Sequence, residues 1–222
     1  MNQTKVDRIC KKIQELCQDC EGSGCIKCGR QSSRIQKYAD AGIPANYWNI
    51  SFKDFIGNKE FKDLILSKIS SINSVFDNGE SILFVGTLGT GKTYAISSIL
   101  KMAVCKDYNV KYCSMVDVIN RVLGGSDPGF TNELLNYDFL AIDEFDSRWI
   151  FPSEKAEQVF GSTMEYILRT RFQNQLPTLL ASNTAETDEI LSGSYGKAFS
   201  SLKSQYLNVV YVTGKDFRKR AK

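Results

Sequence analysis

Gly86-Thr87-Leu88-Gly89-Thr90-Gly91-Lys92-Thr93 is a complete G-x-x-x-x-G-K-T run, and it constrains this chain more than any other stretch. Ser81-Ile82-Leu83-Phe84-Val85 before it is a short apolar run that reads as a buried strand. Tyr94 to Lys101 after it reads as a helix. Strand, glycine loop and helix in that order make a phosphate-binding loop. Glycines let the backbone curl until several N–H groups point at one anion. The helix N-terminus adds partial positive charge at the same place. Gly86, Thr87, Leu88, Gly89, Thr90 and Gly91 are the expected cradle for the phosphates of ATP. Lys92 is expected to reach the β- and γ-phosphates, and Thr93 to ligate Mg²⁺ through its hydroxyl.

A second stretch completes this chemistry. Asp138-Phe139-Leu140-Ala141-Ile142-Asp143-Glu144 reads as a buried strand with two carboxylates at its C-terminal end. Ligands of open α/β sheets bind at that edge. Asp143 is expected to hold Mg²⁺, and Glu144 to orient the water that attacks the γ-phosphate. Pro177 to Ser182 reads as another buried strand. It ends at Asn183, which is expected beside the γ-phosphate. Lys92, Asp143, Glu144 and Asn183 are therefore the candidate catalytic residues.

The N-terminal region carries different chemistry. Cys17-x-x-Cys20 and Cys25-x-x-Cys28 are two knuckles separated by a glycine-containing spacer. Four thiolates so spaced suit a structural Zn²⁺. So few residues cannot fold on core burial alone, so the metal would supply the folding energy. An iron–sulfur cluster or redox thiols are the alternatives. Cys10 falls on the apolar face of a helix over residues 4–17, while Cys105 and Cys113 are expected as core thiols.

The chain has 222 residues, 42% of them hydrophobic, and a net charge of only +3. That suits one α/β domain with a small appendage and says little about partners. With no histidine among its residues, neither a histidine base nor a histidine metal ligand is available. No apolar run approaches the ~20 residues of a membrane span, and residues 1–7 lack the apolar core of a secretory signal, so the cytoplasm is expected. The expected organisation is 1–38, an N-terminal helix and zinc module; 39–58, a linker; and 59–222, the nucleotide-binding domain. Phe61 to Phe76 has the spacing of one long amphipathic helix, and residues 30–38 of a short basic one. Met115–Leu123 and Ser153–Phe172 read as helices, and 109–113 and 207–212 as strands. Tyr47 and Trp48 suit packing, with stacking on a base as the alternative. With few residues after the last strand, no full helical lid is expected.

In order and spacing, Ala41-Gly42-Ile43-Pro44, the 86–93 loop, Asp143-Glu144, the Leu168-to-Asn183 region and Gly214-Lys215-Asp216-Phe217-Arg218 together resemble the DnaC/DnaI/IstB group of AAA+ ATPases. These are replicative-helicase loaders of bacteria and phages, and their transposition relatives. The resemblance implies an α/β P-loop AAA+ (ASCE) fold, a parallel sheet flanked by helices, with the zinc module docking on a partner. It also implies ATP-dependent self-association into an open spiral, binding of single-stranded DNA inside it, and delivery of a replicative hexameric DNA helicase.

One departure matters. Where such proteins carry arginines after the asparagine strand, including one that completes the neighbour's ATP site, this chain has Lys197 and Ser201. A lysine lacks the planar fork that grips a phosphoryl group. Lys197, Lys203, Arg169, Arg171 or a partner would have to substitute, or hydrolysis is slow. Two other readings stay open: an IstB-like transposition ATPase, and an ATP-gated adaptor with little hydrolysis. Lys111, Arg121, Arg148 and Lys155 are candidate DNA contacts.

Overall fold

The computed structural model describes residues 3–124, 129–145, 153–184, 194–214 and 216. Five strands form one parallel sheet: β1 (Ser81–Val85), β2 (Val110–Ser114), β3 (Phe139–Asp143), β4 (Thr178–Ser182) and β5 (Leu207–Tyr211), in the order β2-β3-β4-β1-β5. β1, β3 and β4 are buried along their whole length, which explains why they read as continuous apolar runs rather than alternating ones.

The period of two along each strand divides the core into two layers. Ile82, Phe84, Phe139, Ala141, Leu179 and Ala181 face one layer. Leu83, Val85, Leu140, Ile142 and Leu180 face the other. The first layer is covered by α1 (Gln3–Glu15), α2 (Ile26–Asp40), α3 (Lys59–Ser70), α4 (Ile72–Asp77) and α5 (Lys92–Cys105). The second is covered by α6 (Met115–Leu123), α7 (Phe130–Asn136), α8 (Glu154–Gln173) and α9 (Ser194–Tyr206). α5 lies between the sheet and the N-terminal helices, so nearly all its faces are covered; Ala95, Ile96, Ile99, Leu100 and Ala103 are fully buried.

Several expectations need correction. The amphipathic run from Phe61 to Phe76 is two helices, broken at Ser71. The Ser71 hydroxyl bonds to Ser67 O at 2.8 Å, and the backbone leaves helical geometry there. The basic helix expected at 30–38 starts earlier, at Ile26, inside the second cysteine knuckle. Cys105 is exposed rather than a core thiol, because it sits on the outward side of the last turn of α5; Cys113 is buried as expected. The expected linker 39–58 includes the end of α2, to Asp40, and then two short 3-10 turns, Ala45–Tyr47 and Phe52–Asp54. Trp48 is buried and its indole N–H donates to Ile43 O at 2.7 Å, while Tyr47 stacks on Tyr94. Both are packing residues. No described helix is long and apolar enough to cross a membrane.

Candidate nucleotide site and cysteine cluster

The strand order sets the site. β4 is inserted between β1 and β3, so the loop after β1 and the carboxylates after β3 flank the end of β4 from either side. Val85 pairs with Ser182, which places Asn183 next to the start of the phosphate loop. Lys92, Thr93, Asp143, Glu144 and Asn183 thus meet at one sheet edge.

The polar contacts there are specific. Thr93 Oγ1 donates to Asp143 Oδ2 at 2.7 Å, joining the first turn of α5 to the end of β3. The same oxygen accepts the Tyr112 hydroxyl at 2.7 Å, and Asp143 Oδ1 accepts the backbone N–H of Glu144 at 2.8 Å. Asp143 is buried at 5% exposure, so these bonds hold its carboxylate in one orientation. Burial, and then the Asp143 charge, push the Tyr112 hydroxyl far above its ordinary range, so it stays a donor. Tyr112 was not legible as a site residue. The register puts it opposite Ala141, on the face of β3 that also carries Asp143.

Lys92 is buried, and its ammonium donates to Gly86 O and Thr87 O at 2.7 Å each, inside the curl of the loop. Glu144 is exposed, with φ of +57°, a left-handed backbone that costs a non-glycine residue about 1–3 kcal/mol. That geometry turns the chain sharply after Asp143. Asp216 is a further residue that sequence reading left without a role. Its carboxylate lies against the crest of the loop, where a Cβ on Gly89 would sit 1.8 Å from Oδ1. The Phe55 ring lies against Gly91 from the other side.

The four cysteine thiols converge. Their sulfurs all lie within 4.8 Å of one another. Cys17–Cys25 and Cys25–Cys28 are 3.7 Å apart, and Cys20–Cys28 3.9 Å. A tetrahedron of Zn–S bonds of about 2.3 Å has edges of about 3.8 Å, so the residues fit that ion. Cys25 caps α2. Its thiol is lowered to about 7, first by the backbone N–H of Cys28, which favours the thiolate a metal would bind.

Of the arginines considered as substitutes at a neighbour's site, Arg171 is excluded by position. It is 0% exposed and bonded to Thr178 Oγ1, Leu134 O, Tyr137 O and Pro177 O. Arg169 pairs with Glu165 at 2.7 Å on the half-exposed side of α8. Ser201 is exposed on α9. Lys197 falls within α9, but its side chain lies outside the described residues. Arg121, a candidate DNA contact, stacks at 3.8 Å on the Phe130 ring and faces Glu133. Lys111 lies 5.9 Å over the Tyr137 ring, and Lys155 is exposed at the start of α8. Arg148 lies outside the described residues.

No protein-family model matches this chain, and no curated protein sequence does. Solved structures do match. The DnaC helicase loader superposes with a TM-score of 0.58 at 19% identity, over 77% of this chain and 100% of that one. DnaI gives 0.59 at 17%, over 78% and 93%. The replication initiator DnaA bound to AMPPCP and single-stranded DNA gives 0.57 at 21%, over 78% of this chain but 51% of that chain, so the likeness spans about half of DnaA. At these identities the likeness establishes the fold alone: a parallel α/β sheet flanked by helices, with a glycine-rich loop after its first strand, shared with these structures.

Proposed function

We propose that this protein is an ATP-dependent helicase loader, which binds a replicative hexameric DNA helicase and helps place it on single-stranded DNA. One observation carries the reading. Thr93, Asp143 and Tyr112 form a hydrogen-bonded cluster beside the phosphate loop, on a fold shared with a helicase loader, in a chain that also has a four-thiol cluster.

The chain's residues divide the work. Backbone N–H groups of 86–91 cradle the phosphates, and Lys92 leaves its two carbonyl partners to meet the β- and γ-phosphates. Thr93 and Asp143 would hold Mg²⁺, which neutralises charge on the phosphates. Glu144 orients the attacking water, and Asn183 holds it in line. The water oxygen bonds to the γ-phosphorus as the bridging bond to ADP breaks, and the water's proton passes to the phosphate. Cys17, Cys20, Cys25 and Cys28 would hold Zn²⁺ in a structural role, with residues 1–38 docking on the helicase.

A second reading has a specific observation behind it. With Arg171 locked in the core and Ser201 where an arginine would complete a neighbour's site, hydrolysis by the chain alone is slow, and the protein acts more as an ATP-gated adaptor. Losing such an arginine lowers turnover by roughly 10³–10⁵.

The test is reconstitution with the hexameric helicase and a circular single strand. Helicase should be captured, and its transfer to the circle should need ATP and fail with Lys92→Ala. Firm ATP binding with no helicase capture, with or without zinc, would refute the loader reading.

A further inference from the structure

An open groove of about 1390 Å³ lies between α1, α2, the face of α5 remote from the sheet, and the 48–53 turn. It is separate from the nucleotide site. Its apolar wall includes Ile13, Leu16, Ile26, Ile50, Ile69 and Met102. Three of these are well exposed: Leu16 at 69%, Ile26 at 75% and Ile50 at 39%. Such side chains clustered around one concavity mark an interaction surface rather than scattered surface residues.

Charge and shape narrow the occupant. Lys12, Lys27, Arg30, Arg34, Lys53 and Lys101 line the groove, and among the described residues no aspartate or glutamate does. Lys27 is paired with Asp19, and Lys101 donates to the carbonyls of Tyr47 and Ile50. Lys12, Arg30, Arg34 and Lys53 are exposed around the opening. A single strand of nucleic acid would match this charge, but it binds by stacking bases on aromatic faces. The groove's rings, Tyr38, Trp48 and Phe52, are 8%, 8% and 3% exposed. Trp48 is tied to Ile43 O, and Phe52 is stacked on Phe55. What faces solvent is aliphatic, the complement of an amphipathic helix. A helix ~10 Å wide fills roughly 420 Å³ per turn, so the groove accommodates about three turns.

We propose that this groove docks an acidic amphipathic helix of a partner protein, with leucine- or isoleucine-type side chains against Leu16, Ile26 and Ile50 and carboxylates towards Arg30 and Arg34. The inference deepens the loader reading by giving the partner's chemistry, yet it is testable without any helicase.

The probe is a displayed library of random 16-residue peptides, selected against the full-length zinc-loaded chain. Enriched sequences should combine aliphatic residues at helical spacing with aspartate or glutamate. A synthetic peptide of that sequence should lose tenfold or more in affinity with Ile26→Glu, and likewise with Arg30→Glu/Arg34→Glu. All three positions are exposed, so the fold should survive. Lys92→Ala should leave peptide binding unchanged. Peptides indifferent to both groove variants would overturn the proposal. So would a 16-nucleotide oligo-dT that binds, displaces the peptide and is lost in the same variants. A dimer of this chain broken by Ile26→Glu would assign the groove to a second copy instead.

Discussion

Replacing Arg171 separates a structural arginine from a catalytic one. Its guanidinium joins the last turn of α8 to the end of α7 and the start of β4. Nη1 donates to Leu134 O at 2.8 Å and Tyr137 O at 2.7 Å, Nη2 to Pro177 O at 3.0 Å, and Nε to Thr178 Oγ1 at 3.0 Å. Burial lowers it to about 10, so it remains charged at neutral pH. Arg171→Ala would leave Leu134 O and Tyr137 O without these donors, at about 1–3 kcal/mol each, while Pro177 O still accepts the Leu140 N–H at 3.2 Å. The Thr178 hydroxyl keeps its own acceptor, Leu176 O. Relief of a buried charge offsets several kcal/mol, while the cavity adds a cost. The net is a loss of about 3 kcal/mol, within the range for truncating a large buried side chain. For a chain of this size each kcal/mol moves the melting point by about 2–4 °C, so Tm should fall by about 6–12 °C. Thermal and urea unfolding of the zinc-saturated protein would measure this. ATP affinity well below the transition should be unchanged, and mixing Arg171→Ala with Lys92→Ala chains should give only the sum of their separate turnovers. A variant that melts within about 1 kcal/mol of wild type yet loses turnover in the assembled protein would show that Arg171 acts on a neighbour's ATP.

Tyr112→Phe removes a hydrogen bond to a charged, buried carboxylate, about 1.5–3 kcal/mol; the half-saturating Mg²⁺ in a fluorescent-ATP titration should rise several-fold, and Tm should fall by about 3–12 °C. Cys28→Ser, at the most buried ligand of the cluster, should abolish stoichiometric zinc by metal analysis and lower helicity, while ATP still binds. Lys101 is lowered from 10.5 to about 8 by burial. Between those values the unfolded chain binds more protons there than the folded one, so wild-type stability relative to Lys101→Met should rise with pH, by at most ~1.4 kcal/mol per unit. A difference independent of pH between 8 and 10 would contradict that burial.

The legible parts of this chain are those where one physical demand dominates. Strands covered on both faces have to be apolar throughout, which made β1 and β4 readable from Ser81–Val85 and Thr178–Ser182. The phosphate loop was readable because each residue type has its own task. α7 escaped because it has seven residues and buries only Phe130 and Leu134, too few to display a period. α9 escaped because Ser194, Ser200, Ser201 and Ser204 dilute its stripe, and its anchoring falls to Phe199 and Leu202 packing under the sheet. From sequence alone Arg171 stood only as a candidate to complete a neighbour's site; its buried role was hidden because its acceptors, Leu134 O and Tyr137 O, lie 37 and 34 positions away. Tyr112 reads as an ordinary strand residue because its role comes from the pairing register between β2 and β3.

The same tyrosine ties the segment after α2 to the nucleotide site. α2 starts at the cysteine cluster and ends at Asp40. Directly after it, Ala41 O accepts the Tyr112 N–H at 2.7 Å. Gly42, with φ of +79°, lies so close that a Cβ there would be 2.6 Å from Tyr112 O. The Tyr112 hydroxyl then holds Asp143. The path from cysteine cluster to nucleotide site is thus one helix, two residues and one side chain, with little slack to absorb a displacement. If a helix docked against α2 shifts its C-terminal end, ATP affinity must change, and ATP must change the affinity for that helix by the same factor. Gly42→Ala separates this coupling from the two binding events, because the added methyl forces Ala41–Ile43 off β2 without touching either site. Calorimetric titration of peptide with and without ATP, and of ATP with and without peptide, should give equal factors in the wild type. Both should fall towards one in Gly42→Ala, with each lone affinity nearly retained. Equal factors that survive the substitution would place the connection elsewhere, through Lys101 and the carbonyls of Tyr47 and Ile50.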